Sequence, residues 1–264
     1  MVGETRQFWN GQLEHAAIIP DFAAWQDRHE ALSAQADALG MPERIPTGAD
    51  DLQALWRTKL GRATHGLLYI HGGFWRRYAA HDFSFVAETA AAANVTFYNV
   101  DYRLVPLVRM KEAVDDVVAA CAIAREACDR LVVVGHSAGA HLAVEAAMRM
   151  ERPPDHVVAI SGIYDLAPLR FAFIQDELGL SDEEVATFSP IFRAASMPCP
   201  VHIRVGAAET AEFQRQSVRF FETVSEAGRT ATIEFMQAHH HSSIVAELAD
   251  SNTVLSHLVQ SLLH

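Results

Sequence analysis

From residue 66 onward, short and almost wholly apolar runs alternate with longer stretches whose apolar residues recur every three to four positions. The runs are 66–70 (GLLYI), 95–100 (VTFYNV), 131–135 (LVVVG), 156–161 (HVVAIS), 201–206 (VHIRVG) and 231–236 (ATIEFM). Between or after them lie 81–93, 110–128, 137–150, 210–228 and a last stretch over 243–263. Continuous apolar runs predict strands buried on both faces, and the 3.6-residue spacing predicts helices covering them. Upstream, 21–39 also has helical spacing, with Asp21 as its predicted N-cap and Gly40 as its stop. The segment MPERIPTGAD that follows predicts a loop. The whole pattern predicts an α/β fold, a mostly parallel central sheet with helices on both faces. It breaks once, over 162–200, a stretch too long for a plain connection and expected to form a lid-like insertion or pocket wall.

At 264 residues the chain is long enough for one α/β domain spanning 1–264. Its net charge of -12 argues against nucleic acid as a partner, because phosphate backbones require clustered Lys and Arg. No apolar run reaches the roughly 18 residues of a membrane span. The leading MVGETRQFWNGQLEH carries acids and no continuous apolar core, unlike a secretory signal. Cys121, Cys128 and Cys199 form no CxxC pair. The first two lie about two helical turns apart, too far for a disulfide. A reduced, cytoplasmic setting with three small buried thiols is expected. Oligomeric state stays open, a homodimer being one option.

The chemistry concentrates at GHSAGAH, 135–141, where a predicted strand runs straight into a predicted helix. A chance G-x-S-x-G in a chain of this composition has a probability of about 0.04, and the strand–helix context lowers it further. Such a turn puts Ser137 at a sharp apex with its hydroxyl exposed and a helix N-terminus behind it. A serine hydroxyl is a weak nucleophile. It needs a histidine to take its proton, an acid to orient that histidine, and donors for the oxyanion. HGGFW, 71–75, supplies candidate donors in the N–H groups of Gly73 and Phe74, with Ala138 as the third. His239, His240 and His241 follow the last strand, and the spacing alone does not choose among them. No second ligand cluster accompanies them, so no metal and no cofactor is expected. The acid should follow 201–206. Glu209 in the connecting loop is preferred to Glu212, which lies a turn into the next helix, and to Asp165, one strand too early. Trp75, Phe74 and Tyr102 are candidates to stack on an aromatic substrate, with core packing as the alternative. Arg76 or Arg77 could meet a substrate carboxylate, and Arg103 is expected to brace the HGGFW loop.

Together these pieces resemble the α/β-hydrolase fold, and more narrowly the kynurenine formamidase (arylformamidase) family, near the hormone-sensitive-lipase-like esterases. The resemblance spans roughly 65–250. It rests on His71-Gly72-Gly73-Phe74-Trp75, on Gly135 to Ala143, on Glu209 to Ser217 read against an acid segment of the type (D/E)SPEFxRQS, and on 178–190. Matching Ile244 to the isoleucine of the family's histidine segment selects His241 as base. Phe74, where an esterase of the neighbouring branch usually has a third glycine, favours the formamidases. Two positions depart from the family: Glu209 stands where Asp is usual, and Ser242 where Phe is common. The resemblance implies a serine hydrolase that cleaves a formyl group from a small aromatic amide such as N-formylkynurenine, a step of tryptophan catabolism. The alternatives are a small-acyl aryl carboxylesterase and a non-catalytic hydrolase-fold receptor for a small molecule.

Overall fold

The computed structural model describes residues 5–61 and 64–264; the first four residues of the leading segment lie outside the described residues. One sheet holds β1 (Glu43–Pro46), β2 (Ala54–Lys59), β3 (His65–Ile70), β4 (Thr96–Asp101), β5 (Arg130–His136), β6 (His156–Ile160), β7 (Val201–Gly206) and β8 (Ala231–Met236). Its order is β1-β2-β4-β3-β5-β6-β7-β8. Strand β2 is antiparallel to both neighbours, and the pairs from β4 onward are parallel.

The continuous apolar runs form strands because both faces of the sheet are covered. Along β5, Leu131 and Val133 enter one core while Val132 and Val134 enter the other; along β3, Leu68 and Ile70 separate likewise from Leu67 and Tyr69. The helices are α1 (Arg6–Leu13), α2 (His15–Ile18), α3 (Phe22–Ala36), α4 (Ala87–Ala92), α5 (Met110–Glu126), α6 (Ala138–Arg149), α7 (Gln175–Leu178), α8 (Asp182–Phe188), α9 (Ala211–Glu226), α10 (His241–Val245) and α11 (Val254–Leu262). Helices α5, α6 and α9 pack on the first face, and α4 and α11 on the second. The three cysteines are buried and unpaired.

Several expectations need correction. The segment read as loop, 41–50, contains β1, a short edge strand whose Glu, Arg and Pro mask its character. Strand β2, absent from the apolar-run pattern, is an edge-side strand with Trp56 and Arg57 only half-buried. The 81–93 helix opens as a 3₁₀ turn over Ala80–Val86. The final helix is broken: α10 passes into a 3₁₀ turn at Ala246–Ala249, and Asp250 Oδ1 accepts the Asn252 N–H in a polar turn ahead of α11. Asp21 caps nothing with its side chain; it takes a left-handed conformation (φ 55°). The 162–200 insertion, expected as a lid or pocket wall, is packed down through Leu166, Leu169, Ile174, Leu178 and Phe188 in the first core.

Candidate active site

Ser137 joins β5 to α6 at φ 58°, ψ −121°, a conformation that costs a side-chain-bearing residue about 1–3 kcal/mol. The turn is clamped by the Ser137 N–H donating to Ile160 O at 2.8 Å, and by Ser137 O accepting from the Ala140 and His141 N–H groups. It closes this tightly because residue 139 has no side chain: a Cβ there would lie 2.0 Å from Ile70 O.

After β3, Gly73, Phe74 and Trp75 all take positive φ (97°, 51° and 57°). A Cβ on Gly73 would sit 2.5 Å from Arg77 O, so the loop doubles back on itself only with glycine there. The N–H groups of Gly73, Phe74 and Ala138 meet no acceptor among the described residues. These are free donors beside the serine.

The three histidines separate by partner. His239 Nε2 lies 2.8 Å from Glu247 Oε1. His240 caps α10, its Nδ1 accepting the Ser242 and Ser243 N–H groups. His241 Nδ1 lies 2.8 Å from Glu209 Oε2, and both side chains are buried. Glu209 Oε1 accepts from Ser161 Oγ at 2.5 Å and from Gly206 N–H at 2.7 Å. Burial raises the Glu209 carboxyl, while the Ser161 hydroxyl and the Gly206 N–H pull it back down. Burial, with His240 alongside, pushes the His241 imidazole down to about 3. At neutral pH the His241 imidazole is therefore uncharged. The Glu209 contact holds the ring proton on Nδ1 and leaves Nε2 as the acceptor. Glu212 is turned away, bonded to Arg215 and Gln216. Asp165 Oδ1 accepts the Ala167 N–H within its own loop.

Ser137, His241, Gly73 and Phe74 line one cavity of about 50 Å³. It adjoins a larger space of about 290 Å³ walled by Arg76, Arg77, Phe173 and Glu14, with His15, Phe22, Gly73, Phe74 and Tyr78 common to both. Of the aromatic candidates only Phe74 reaches this space. Trp75 is fully buried, its Nε1–H donating to His141 Nδ1. Tyr102 is also buried; it stacks on His71, and its hydroxyl donates to His71 O at 3.0 Å. Both serve the core and the loop, which corrects the reading of them as substrate contacts. Arg103 grips Asp116 of α5 through Nε and Nη2 instead of bracing the HGGFW loop. Arg76 is paired with Glu177 of the insertion, whereas Arg77 is exposed on the wall of the larger space.

Several residues at the site escaped the sequence reading. Ser161 directly follows β6 and bonds Glu209, and a polar residue just past a central strand was the available signal. His136 lies inside the GHSAGAH motif; its Nε2–H donates to His241 O at 2.9 Å and so fixes the backbone at His241. His15 carries no sequence signal at all. Its ring stacks on His241 with centroids 3.9 Å apart, and its Nε2 is buried without a partner among the described residues. With Phe22, Gln26 and His29 it roofs the cavity. The N-terminal helices, more than the 162–200 insertion, thus form the cover. The insertion contributes Phe173, 6.0 Å edge-on to Phe74.

An elbow serine, a histidine–carboxylate pair and a glycine-turned donor loop on this strand order define a class, and the chain belongs to it: the family described by the alpha/beta hydrolase fold matches residues 67–245. The protein is a hydrolase. Within that class it is similar to the kynurenine formamidase of Danio rerio, 26% identical over 207 residues that cover 73% of this chain and 71% of that protein. It is equally similar to the kynurenine formamidase of Salmo salar, 26% identical over 208 residues with the same coverage. Among solved structures, a candidate thioesterase from Silicibacter sp. TM1040 superimposes with a TM-score of 0.86 at 22% identity, covering 94% of this chain and 97% of that one. A hormone-sensitive lipase from a metagenome library gives 0.67 at 20% identity, covering 99% of each. At these identities the two structures speak to fold.

Proposed function

We propose that this chain, acting as a single domain, is a serine hydrolase that removes a formyl group from a small aryl amide of the N-formylkynurenine kind. The observation that carries the reading is the 2.8 Å contact between His241 Nδ1 and Glu209 Oε2, with His241 opening onto the same small cavity as the elbow serine.

In this reading Ser137 Oγ attacks the formyl carbon and its proton passes to His241 Nε2. The oxyanion is held by the N–H groups of Gly73, Phe74 and Ala138, which meet no backbone acceptor among the described residues. Collapse of the tetrahedral intermediate breaks the C–N bond, and His241 returns the proton to the departing aryl amine. Water, deprotonated by His241, then attacks the formyl-serine carbon; the C–Oγ bond breaks, His241 returns the proton to Ser137 Oγ, and formate is released. Glu209 orients the imidazole and stabilises its charged form. No step passes through a metal or cofactor. Two features support a small acyl group on a large leaving group: the inner cavity is about 50 Å³, and the adjoining space is about 290 Å³ with Arg77 on its wall for a carboxylate. The similarity to kynurenine formamidases agrees with this substrate class.

One observation favours a second reading, a small-acyl aryl carboxylesterase: Ser242, small and polar, lines the inner cavity and leaves room for an acetyl group. Hydrolysis of N-formylkynurenine and p-nitrophenyl acetate by wild type and Ser137→Ala separates the two. Formamidase turnover should exceed ester turnover, and both should fall by at least about 10⁴-fold in the variant. Ester cleavage alone would keep the serine mechanism and discard the formamidase assignment. Activity that survives in Ser137→Ala would discard both.

A further inference from the structure

The three oxyanion donors come from two elements: Gly73 and Phe74 from the loop after β3, and Ala138 from the first residue of α6. Their mutual spacing depends on what holds that loop against that helix. Phe74 and Trp75 take positive φ (51° and 57°) in succession, a region disfavoured for residues with a Cβ and kept only where the surroundings impose it. The Phe74 backbone meets no backbone partner among the described residues, so its neighbours place it. Trp75 is held at two points. Its carbonyl accepts the Val105 N–H at 2.8 Å, and its indole Nε1–H donates to His141 Nδ1 at 3.2 Å, with the two ring planes 83° apart. Among the described residues no other side-chain hydrogen bond joins 71–75 to α6. His141 lies one turn beyond Ser137, and its N–H bonds Ser137 O. Both side chains are fully buried. Burial holds the His141 imidazole below its ordinary value, so the ring is neutral, with one donor and one acceptor. Nε2 sits 2.7 Å from Phe188 O, which only accepts. The proton is therefore on Nε2, and Nδ1 is left as the acceptor the indole needs. A buried indole N–H without that acceptor would be costly.

We propose that His141 is a positioning residue for the oxyanion donors: through the Trp75 indole it keeps Gly73 and Phe74 in register with Ala138. The inference rests on the serine-hydrolase reading above. Two substitutions divide the ring's functions. His141→Asn keeps an acceptor near the Nδ1 position and gives up the donor to Phe188 O. His141→Gln keeps a donor near the Nε2 position and gives up the acceptor. Each loses one buried hydrogen bond, so a purely structural role predicts like losses. Kinetics are read on whichever of N-formylkynurenine and p-nitrophenyl acetate the wild type cleaves, with Ser137→Ala alongside. His141→Gln should lower kcat about tenfold with KM within about twofold, because the donors act in the transition state. Trp75→Phe, which removes the donor, should do the same, and His141→Asn should stay within about threefold of the wild-type kcat. Equal kcat losses in the two His141 variants, a wild-type kcat in His141→Gln, or a rise in KM in place of a fall in kcat would overturn the inference and leave the reading intact. Turnover that survives Ser137→Ala, or none of either substrate, would remove both. Should a His141 variant fail to fold, Trp75→Phe decides by the same kcat and KM criteria. In the wild type the Trp75 indole proton should resonate downfield of a solvent-exposed indole, and a resonance at the exposed position would overturn the bond itself.

Discussion

Glu209 is supported by donors that lie outside the proposed serine–acid–histidine set, and Ser161 is the one whose side chain can be removed without altering Ser137, Glu209 or His241. Its hydroxyl lowers the Glu209 carboxyl against the effect of burial. Ser161→Ala should therefore raise that carboxyl further, so the acid limb of kcat/KM moves to higher pH as the pair gains its proton sooner, with kcat falling about tenfold. A pH–rate profile superimposable on the wild type would show Ser161 to be idle. In the wild type His241, the proposed base, is held low by burial, so activity should persist well below pH 6.5, without the inflection of an ordinary histidine. At this scale the sequence was informative where chain order constrains the answer. Glu209 was distinguishable from Glu212 because one lies in the loop and the other on the helix. Trp75 and Tyr102 were not distinguishable from pocket residues, since only tertiary packing decides which side of a loop an aromatic ring faces. His15 was invisible because nothing local links residue 15 to residue 241.

At the level of elements, the site depends on how closely α6 approaches the end of β3. Gly139 permits that approach, and Gly139→Ala would force its Cβ to within 2.0 Å of Ile70 O and 2.6 Å of His71 O. The helix and the HGGFW loop must then separate. A loss of about 3 kcal/mol in urea unfolding is expected, together with loss of activity. Gly11, in the middle of α1 with nothing near its missing Cβ, is the contrast. Gly11→Ala should gain about 0.5–1 kcal/mol from helix propensity alone. The central strands were legible because burial on both faces makes them uninterrupted apolar runs. Strands β1 and β2 were not: β1 is the edge strand and β2 lies beside it, and both carry charged and half-buried side chains that break the run.

Across the whole molecule, an unusual share of the histidine is buried uncharged. Burial lowers His15, His71, His136, His141 and His241 below the ordinary imidazole value. In the unfolded chain each takes up a proton as pH falls through about 6.5, while the folded chain follows only at lower pH. The unfolded state then binds more protons, so stability falls with pH, by up to about 1.4 kcal/mol per pH unit for each such group. The urea midpoint should drop clearly between pH 7 and pH 5; a flat midpoint would mean that these rings titrate normally. The roof of the Ser137 cavity has a different kind of consequence. His15, Phe22, Gln26 and His29 all precede residue 67, where the match to the hydrolase family begins. Part of the cover of the Ser137 cavity is thus contributed by a stretch of chain outside the one that carries Ser137, Glu209 and His241.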